Sequence, residues 1–250
     1  MKKLTSLFFL LTIVIAPTQL LHAEGLEYTL DASARSYSPG LSVTPGVGYR
    51  LPLWGEAKSP FEGTVRPNFS VNASPATYSG RVELEFSPVM FINLSAGRTM
   101  QRVFSTFEDD LCRSSSCVGS LNSSDLSVRV LFKVSSIMGS LKYTRAFYDS
   151  KPSSSAPHID PSLYVKISPN NEISDQLNAI IGTEINDVWS AGVLVQHTEL
   201  EKNIGRQDGQ YLLALMKRGQ ANYIAGAGRF ESALKPAKPS VIFTFKYDWN

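Results

Sequence analysis

Residues 241–250 alternate almost without error. Val241, Phe243, Phe245, Tyr247 and Trp249 fall on one side, and Ile242, Thr244, Lys246, Asp248 and Asn250 on the other. Side chains on an extended strand alternate faces with period two, so this segment has one apolar, aromatic-ended face and one mostly polar face. The pattern recurs upstream. Leu26, Tyr28, Leu30, Ala32 and Ala34 alternate with Glu27, Thr29, Asp31, Ser33 and Arg35. Tyr78, Val82, Leu84 and Phe86 alternate with Arg81, Glu83 and Glu85, and Leu126, Val128, Val130 and Phe132 with Ser127, Arg129 and Lys133. Charges fall repeatedly on the non-apolar face.

The chain begins with Lys2 and Lys3, an apolar run over 7–15, Pro17 and the stretch Leu21-His22-Ala23. That layout predicts a secretory signal peptide over 1–23, cleaved after Ala23. The apolar run falls short of the roughly 20 residues a membrane helix needs. Two lysines and no acid leave with the signal, taking the chain from 24 basic and 22 acidic residues to 22 of each. A mature chain of zero net charge gives no support to a nucleic-acid partner. No phosphate-cradling glycine loop appears, since Gly226 and Gly228 lie in a strand pattern, and no cofactor is expected.

Residues 24–250 contain no apolar segment long enough for a membrane helix and read as one all-β unit. Strands are predicted over 26–36, 42–53, 61–72, 78–87, 89–99, 125–134, 139–148, 177–185, 189–199, 210–217, 222–231 and 240–249. In lipid every backbone N–H and C=O must be satisfied without water, so a spanning sheet must close on itself. The expectation is a single closed antiparallel transmembrane barrel of about 12 strands, with 10 and 14 as alternatives. An even count puts both termini on the periplasmic side. It then sorts the two longest connections, near 100–124 and 149–176, to the outside. The alternating piece 163–167 is placed inside the second of these, as a strand extension above the membrane.

With these features the chain resembles the bacterial outer-membrane β-barrel superfamily. The ending Phe243-Thr244-Phe245-Lys246-Tyr247-Asp248-Trp249 is similar to the C-terminal signal read by the barrel-assembly machinery, although Asn250 follows the aromatic. The resemblance makes Phe243, Phe245, Tyr247 and Trp249 an assembly signal. It implies outer-membrane lipid, that machinery and periplasmic chaperones as partners, and residence in the outer membrane. Activity is left open, because barrels of this kind host unrelated functions.

Arg50, Arg66, Arg81, Glu83, Glu85, Arg129, Lys133 and Lys246 are expected to line the lumen. Twelve strands at about 4.8 Å spacing and about 40° tilt give a backbone radius of roughly 12 Å. Side chains therefore decide whether a channel remains. The leading expectation is a narrow, passive or weakly selective pore for small solutes. The alternative is a plugged barrel displaying its outer loops to a partner. Catalysis is a remote third reading, resting on Asp109-Asp110 and His158-Ile159-Asp160 at the outer rim, and the chain is expected not to be an enzyme. Cys112 and Cys117, in an oxidising compartment, are expected to form a local disulfide. No metal site is expected: His197 and Glu199 share a strand face without a visible third ligand.

Overall fold

The computed structural model describes residues 25–37, 40–56, 59–104, 118–152, 158–160, 165–168, 172–202 and 205–249. Cys112, Cys117, Asp109, Asp110 and the whole of 1–23 lie outside the described residues. Among the described residues every regular element is a strand. In chain order the first eight are β1 (Leu26–Arg35), β2 (Gly40–Tyr49), β3 (Leu51–Trp54), β4 (Gly63–Ala73), β5 (Thr77–Val89), β6 (Ile92–Val103), β7 (Gly119–Val134) and β8 (Ile137–Pro152). The remainder are β9 (His158–Asp160), β10 (Val165–Ile167), β11 (Glu172–Glu184), β12 (Trp189–Leu200), β13 (Arg206–Arg218), β14 (Ala221–Ser232) and β15 (Lys235–Trp249).

Each spanning strand pairs antiparallel with its neighbours in the order β2, β1, β15, β14, β13, β12, β11, β8, β7, β6, β5, β4, and β2 pairs with β4 to close the ring. β2 and β3 are one stave interrupted at Arg50, whose backbone N–H continues the β1–β2 ladder by one pair to the Gly25 carbonyl at 2.7 Å. The result is a closed barrel of twelve antiparallel staves, as the alternation requires. Its seam joins β1 to β15 in a register that sets Tyr28 opposite Trp249, Asp31 opposite Lys246 and Arg35 opposite Ile242.

The barrel is inside-out relative to a soluble fold. Val82, Leu84, Leu126, Ile181, Leu212 and Val241 are each more than half exposed, along one face of their strands. A continuous apolar outer wall of this extent calls for lipid, not water. All three tryptophans, Trp54, Trp189 and Trp249, sit at one end of the barrel, where β3 and β15 finish and β12 begins. Trp249 packs on Tyr247 and Trp54 on Phe86, with ring centroids 4.4 Å and 5.9 Å apart. Amphipathic rings at that level suit the membrane–water interface.

The structure departs from the expected boundaries in two ways. The β5–β6 turn falls at 90–91 and not at 87–88, because a register shift between Phe86 and Val89 carries Pro88 inside the strand. β6 also runs on to Val103 and β7 starts at Gly119, while β8 reaches Pro152 and β11 starts at Glu172. The long outer connections are thus 104–118 and 153–171. β7 and β8, at 16 residues each, exceed the 9–11 that cross a bilayer. Above the hydrocarbon no lipid imposes an apolar face, and the polar run 122–125 therefore shows no alternation of hydropathy. On the outer wall at that height stand Arg145, Asp175, His197, Glu199, Arg206, Asp208, Arg229 and Glu231, cross-linked by ion pairs such as Arg229–Glu231 at 3.2 Å.

β10 pairs only with β9 and not with the barrel, so the described part of that piece, Val165–Ile167, is no stave of the ring. It does more than extend outward. Val165 and Ile167 are fully buried against Leu121, Ala146, Tyr148 and Leu200.

Candidate functional site

The inner wall carries a ladder of charges. Arg81 on β5 reaches past β6 to hold both oxygens of Asp125 on β7, at 2.6 and 2.9 Å, and takes Glu83 at 2.7 Å. Glu83 also accepts from Ser95, which meets Ser127 at 2.7 Å. Arg66 on β4 reaches past β2 to Glu27 on β1, at 2.8 Å, with Glu85 at 3.6 Å. The Arg66–Glu27 contact is an ion pair and not an aligned hydrogen bond. Lys133 on β7 reaches past β8 to Glu184 on β11, at 2.7 Å. All three spans lie opposite the lipid-facing side chains, on the concave face, where side chains from alternate strands converge.

Two of these spans depend on glycine. In the register, Glu83, Gly97 and Asp125 form one row across β5, β6 and β7. A Cβ on Gly97 would lie 2.5 Å from an Arg81 nitrogen. Glu27, Gly48 and Asn68 form the matching row across β1, β2 and β4. A Cβ on Gly48 would lie 2.8 Å from Arg66 Nε and 2.1 Å from Asn68 Oδ1. In each case the arginine starts two residues along its own strand and crosses the strand that has no side chain in the way.

The eight expected lumen residues are therefore not equivalent. Arg66, Arg81, Glu83 and Glu85 form the central ladder. Arg50 pairs with buried Glu62 at 3.0 Å, in the turn that precedes β4. Lys133 and Lys246 stand toward the periplasmic end, Lys246 beside Asp248 at 3.3 Å. Arg129 lies on the same face of β7 as Asp125, directly opposite Lys142 of β8. The expected set omits Glu27, Asp125, Lys142 and Glu184. Asp125 sits at the very start of the alternating stretch, and its parity with Ser127 and Arg129 is the signal that finds it. Lys142 lies where alternation is poor, because Arg145 occupies the outer face two residues beyond Tyr143.

Access to this wall differs between its ends. At the end that carries the tryptophans, Lys133 and Lys246 keep about half of their side-chain surface, 59% and 47%. Toward the outside, inward residues of β7, β8 and β11–β15 are closed off: Leu121, Tyr148, Glu172, Ser174, Thr198, Tyr211, Phe230 and Ser240 are all buried. The inner hairpin β9–β10 contributes to that closure through Val165 and Ile167. Glu172, fully buried, anchors it. Its carboxylate accepts the backbone N–H of Ser168, just after β10, at 3.3 Å and that of Lys202, in the next outer connection, at 2.7 Å. The inward hydroxyls and amides of β1, β2 and β4, among them Ser33, Ser42, Thr44, Ser70 and Asn72, are only half-buried. Ser33 meets Ser42 at 2.8 Å, and Asn72 donates to Thr44 at 2.7 Å.

The pair His197 and Glu199 shares the outer, not the inner, face of β12. His197 Nδ1 lies 2.8 Å from Asp208, which Arg206 also holds, and its Nε2 is 4.0 Å from Glu199. No group of three metal-ligating side chains forms among the described residues. Asp160 is buried at the end of β9.

No protein-family model matches the chain, and no curated protein matches its sequence. Among solved structures it is similar to the COG4313 outer membrane channel from Pseudomonas putida F1, at 10% identity and a TM-score of 0.52, covering 94% of this chain and 100% of that one. It is also similar to the KdgM porin, at 8% identity and a TM-score of 0.50, covering 90% of this chain and 99% of that one. At such identities the likeness is one of fold. That fold, with the lipid-ready outer wall and polar inner wall, is the fold of the bacterial outer-membrane β-barrels.

Proposed function

We propose that the protein is a narrow outer-membrane channel for small solutes, constricted at its outer mouth by the β9–β10 hairpin. The observation that carries this reading is the graded inner wall. Charged side chains meet water on the periplasmic side, and a packed apolar and hydroxyl layer closes most of the outer half. The strip along β1, β2 and β4 supports a remaining route, since its hydroxyls and amides stay half-buried. Paired charges on the ladder keep the lumen wet while cancelling much of each other's field, which fits weak rather than strong selectivity.

Planar-bilayer recording of the refolded mature protein tests the reading. Small, stable conductance steps are expected from the wild type. Removal of residues 158–167 should enlarge them several-fold while the barrel stays heat-modifiable on a gel. A barrel that stays electrically silent with and without the hairpin would show a sealed lumen, and the second reading would replace the first. That second reading, a plugged barrel presenting its outer loops, draws on the same burial of Val165 and Ile167.

A further inference from the structure

Five of the six cations expected in the lumen have a carboxylate within ion-pair distance. Arg50 has Glu62, Arg66 has Glu27 and Glu85, Arg81 has Asp125 and Glu83, Lys133 has Glu184, and Lys246 has Asp248. Arg129 makes no such pair among the described residues, and its neighbour directly across the ladder is a second cation, Lys142. Lys142 is half-buried, and Arg129 is exposed on the open side of the wall. Like charges placed directly opposite on one face of a sheet repel and destabilise the pairing. Glu83 and Asp125 act on Lys142 through space, yet Asp125 holds Arg81 with both oxygens and Glu83 bonds Arg81 and Ser95.

The next residue in the same row is Asn178 on β11, paired with Lys142. Its Oδ1 accepts from Gln196 at 3.2 Å, so its own amide N–H groups remain as donors. Three neighbouring strands thus present a guanidinium, an ammonium and an amide at one level, with no carboxylate bonded among them. An oxyanion is the chemistry that completes such a row, because it relieves the repulsion and accepts from all three donors.

We propose that Arg129, Lys142 and Asn178 form an anion subsite in the channel wall that takes a solute carboxylate or phosphate. The subsite rests on the channel reading for its route of access, but its occupancy can be measured without current. The probe is inorganic phosphate. At constant ionic strength, replacing chloride by phosphate should raise the unfolding midpoint of the refolded wild type. It should do so much less for Lys142→Gln and Arg129→Gln. In chloride alone Lys142→Gln should be at least as stable as the wild type, since it removes a repulsion, and this separates the proposal from simple damage. In bilayers under a KCl gradient, either substitution should lower the chloride-to-potassium permeability ratio about fivefold, which corresponds to about 1 kcal/mol. Arg229→Gln, the same loss of charge on the outer wall, should leave both measurements at the wild-type value. Equal phosphate shifts in wild type and variants overturn the subsite, as does steady current with unchanged selectivity. Phosphate stabilisation confined to the wild type, in a barrel that carries no current, overturns the channel reading and leaves the subsite standing.

Discussion

A missing side chain at Gly97 decides what Arg81 can touch. The guanidinium lies over that glycine on its way to Asp125, and any Cβ there would collide with it. Gly97→Val should lower the unfolding free energy by about 1–3 kcal/mol through overpacking of a held side chain. Gly80→Ala, at a site with no atom within 4 Å of an added Cβ, should change it by no more than about 0.5 kcal/mol. Urea unfolding of the two variants in detergent makes the comparison, and equal losses would mean that Arg81 does not depend on the gap. Facing is testable at the same scale. Phe245 points to lipid and Thr244 inward, so Phe245→Lys should cost about 2–4 kcal/mol on refolding into bilayers and Thr244→Lys far less. A similar cost at both positions would contradict the assigned register of β15. Parity along the strand was legible in the sequence for both residues. The partnership of Arg81 with Asp125 was not, because it links positions 44 residues apart in the chain through the curvature of the ring.

At the scale of elements, the twelve staves could be counted from alternation because lipid on one side and water on the other impose it. The same cause explains where that reading stopped. The extra turns of β7 and β8, and the hairpin β9–β10, lie beyond the lipid, where hydropathy does not sort the two faces. Val165–Ile167 stands outside the ring of staves, as expected of that piece, but nothing local marks Val165 and Ile167 as inward packing residues. Glu172 holds the hairpin by accepting two backbone N–H groups from different connections. Glu172→Ala removes this acceptor from two part-buried donors, at no more than about 1–3 kcal/mol for each that stays unmet. Amide hydrogen exchange at Val165 and Ile167 should therefore accelerate, and conductance should move toward that of the hairpin deletion. Unchanged exchange would place the anchor elsewhere.

For the whole molecule, closure through the β1–β15 and β2–β4 pairings leaves none of the twelve staves with a free edge along the ring, which is why the barrel tolerates lipid on its outer wall. Intact-mass analysis of protein recovered from outer membranes should find the chain beginning at Glu24, with the mass of one disulfide between Cys112 and Cys117. A retained leader, or two thiols that alkylate freely, would refute the corresponding expectation. The sequence by itself determined the closed all-β architecture, the number of staves and the side of each strand that meets lipid. It could do so because period-two alternation is a local property, written residue by residue under the constraint of the bilayer. Only the tertiary structure decided which charges meet, that Arg129 faces Lys142 instead of a carboxylate, and that an outer hairpin packs into the mouth. Those outcomes depend on inter-strand register and on the inward curvature of the ring, which bring together residues that no local pattern connects.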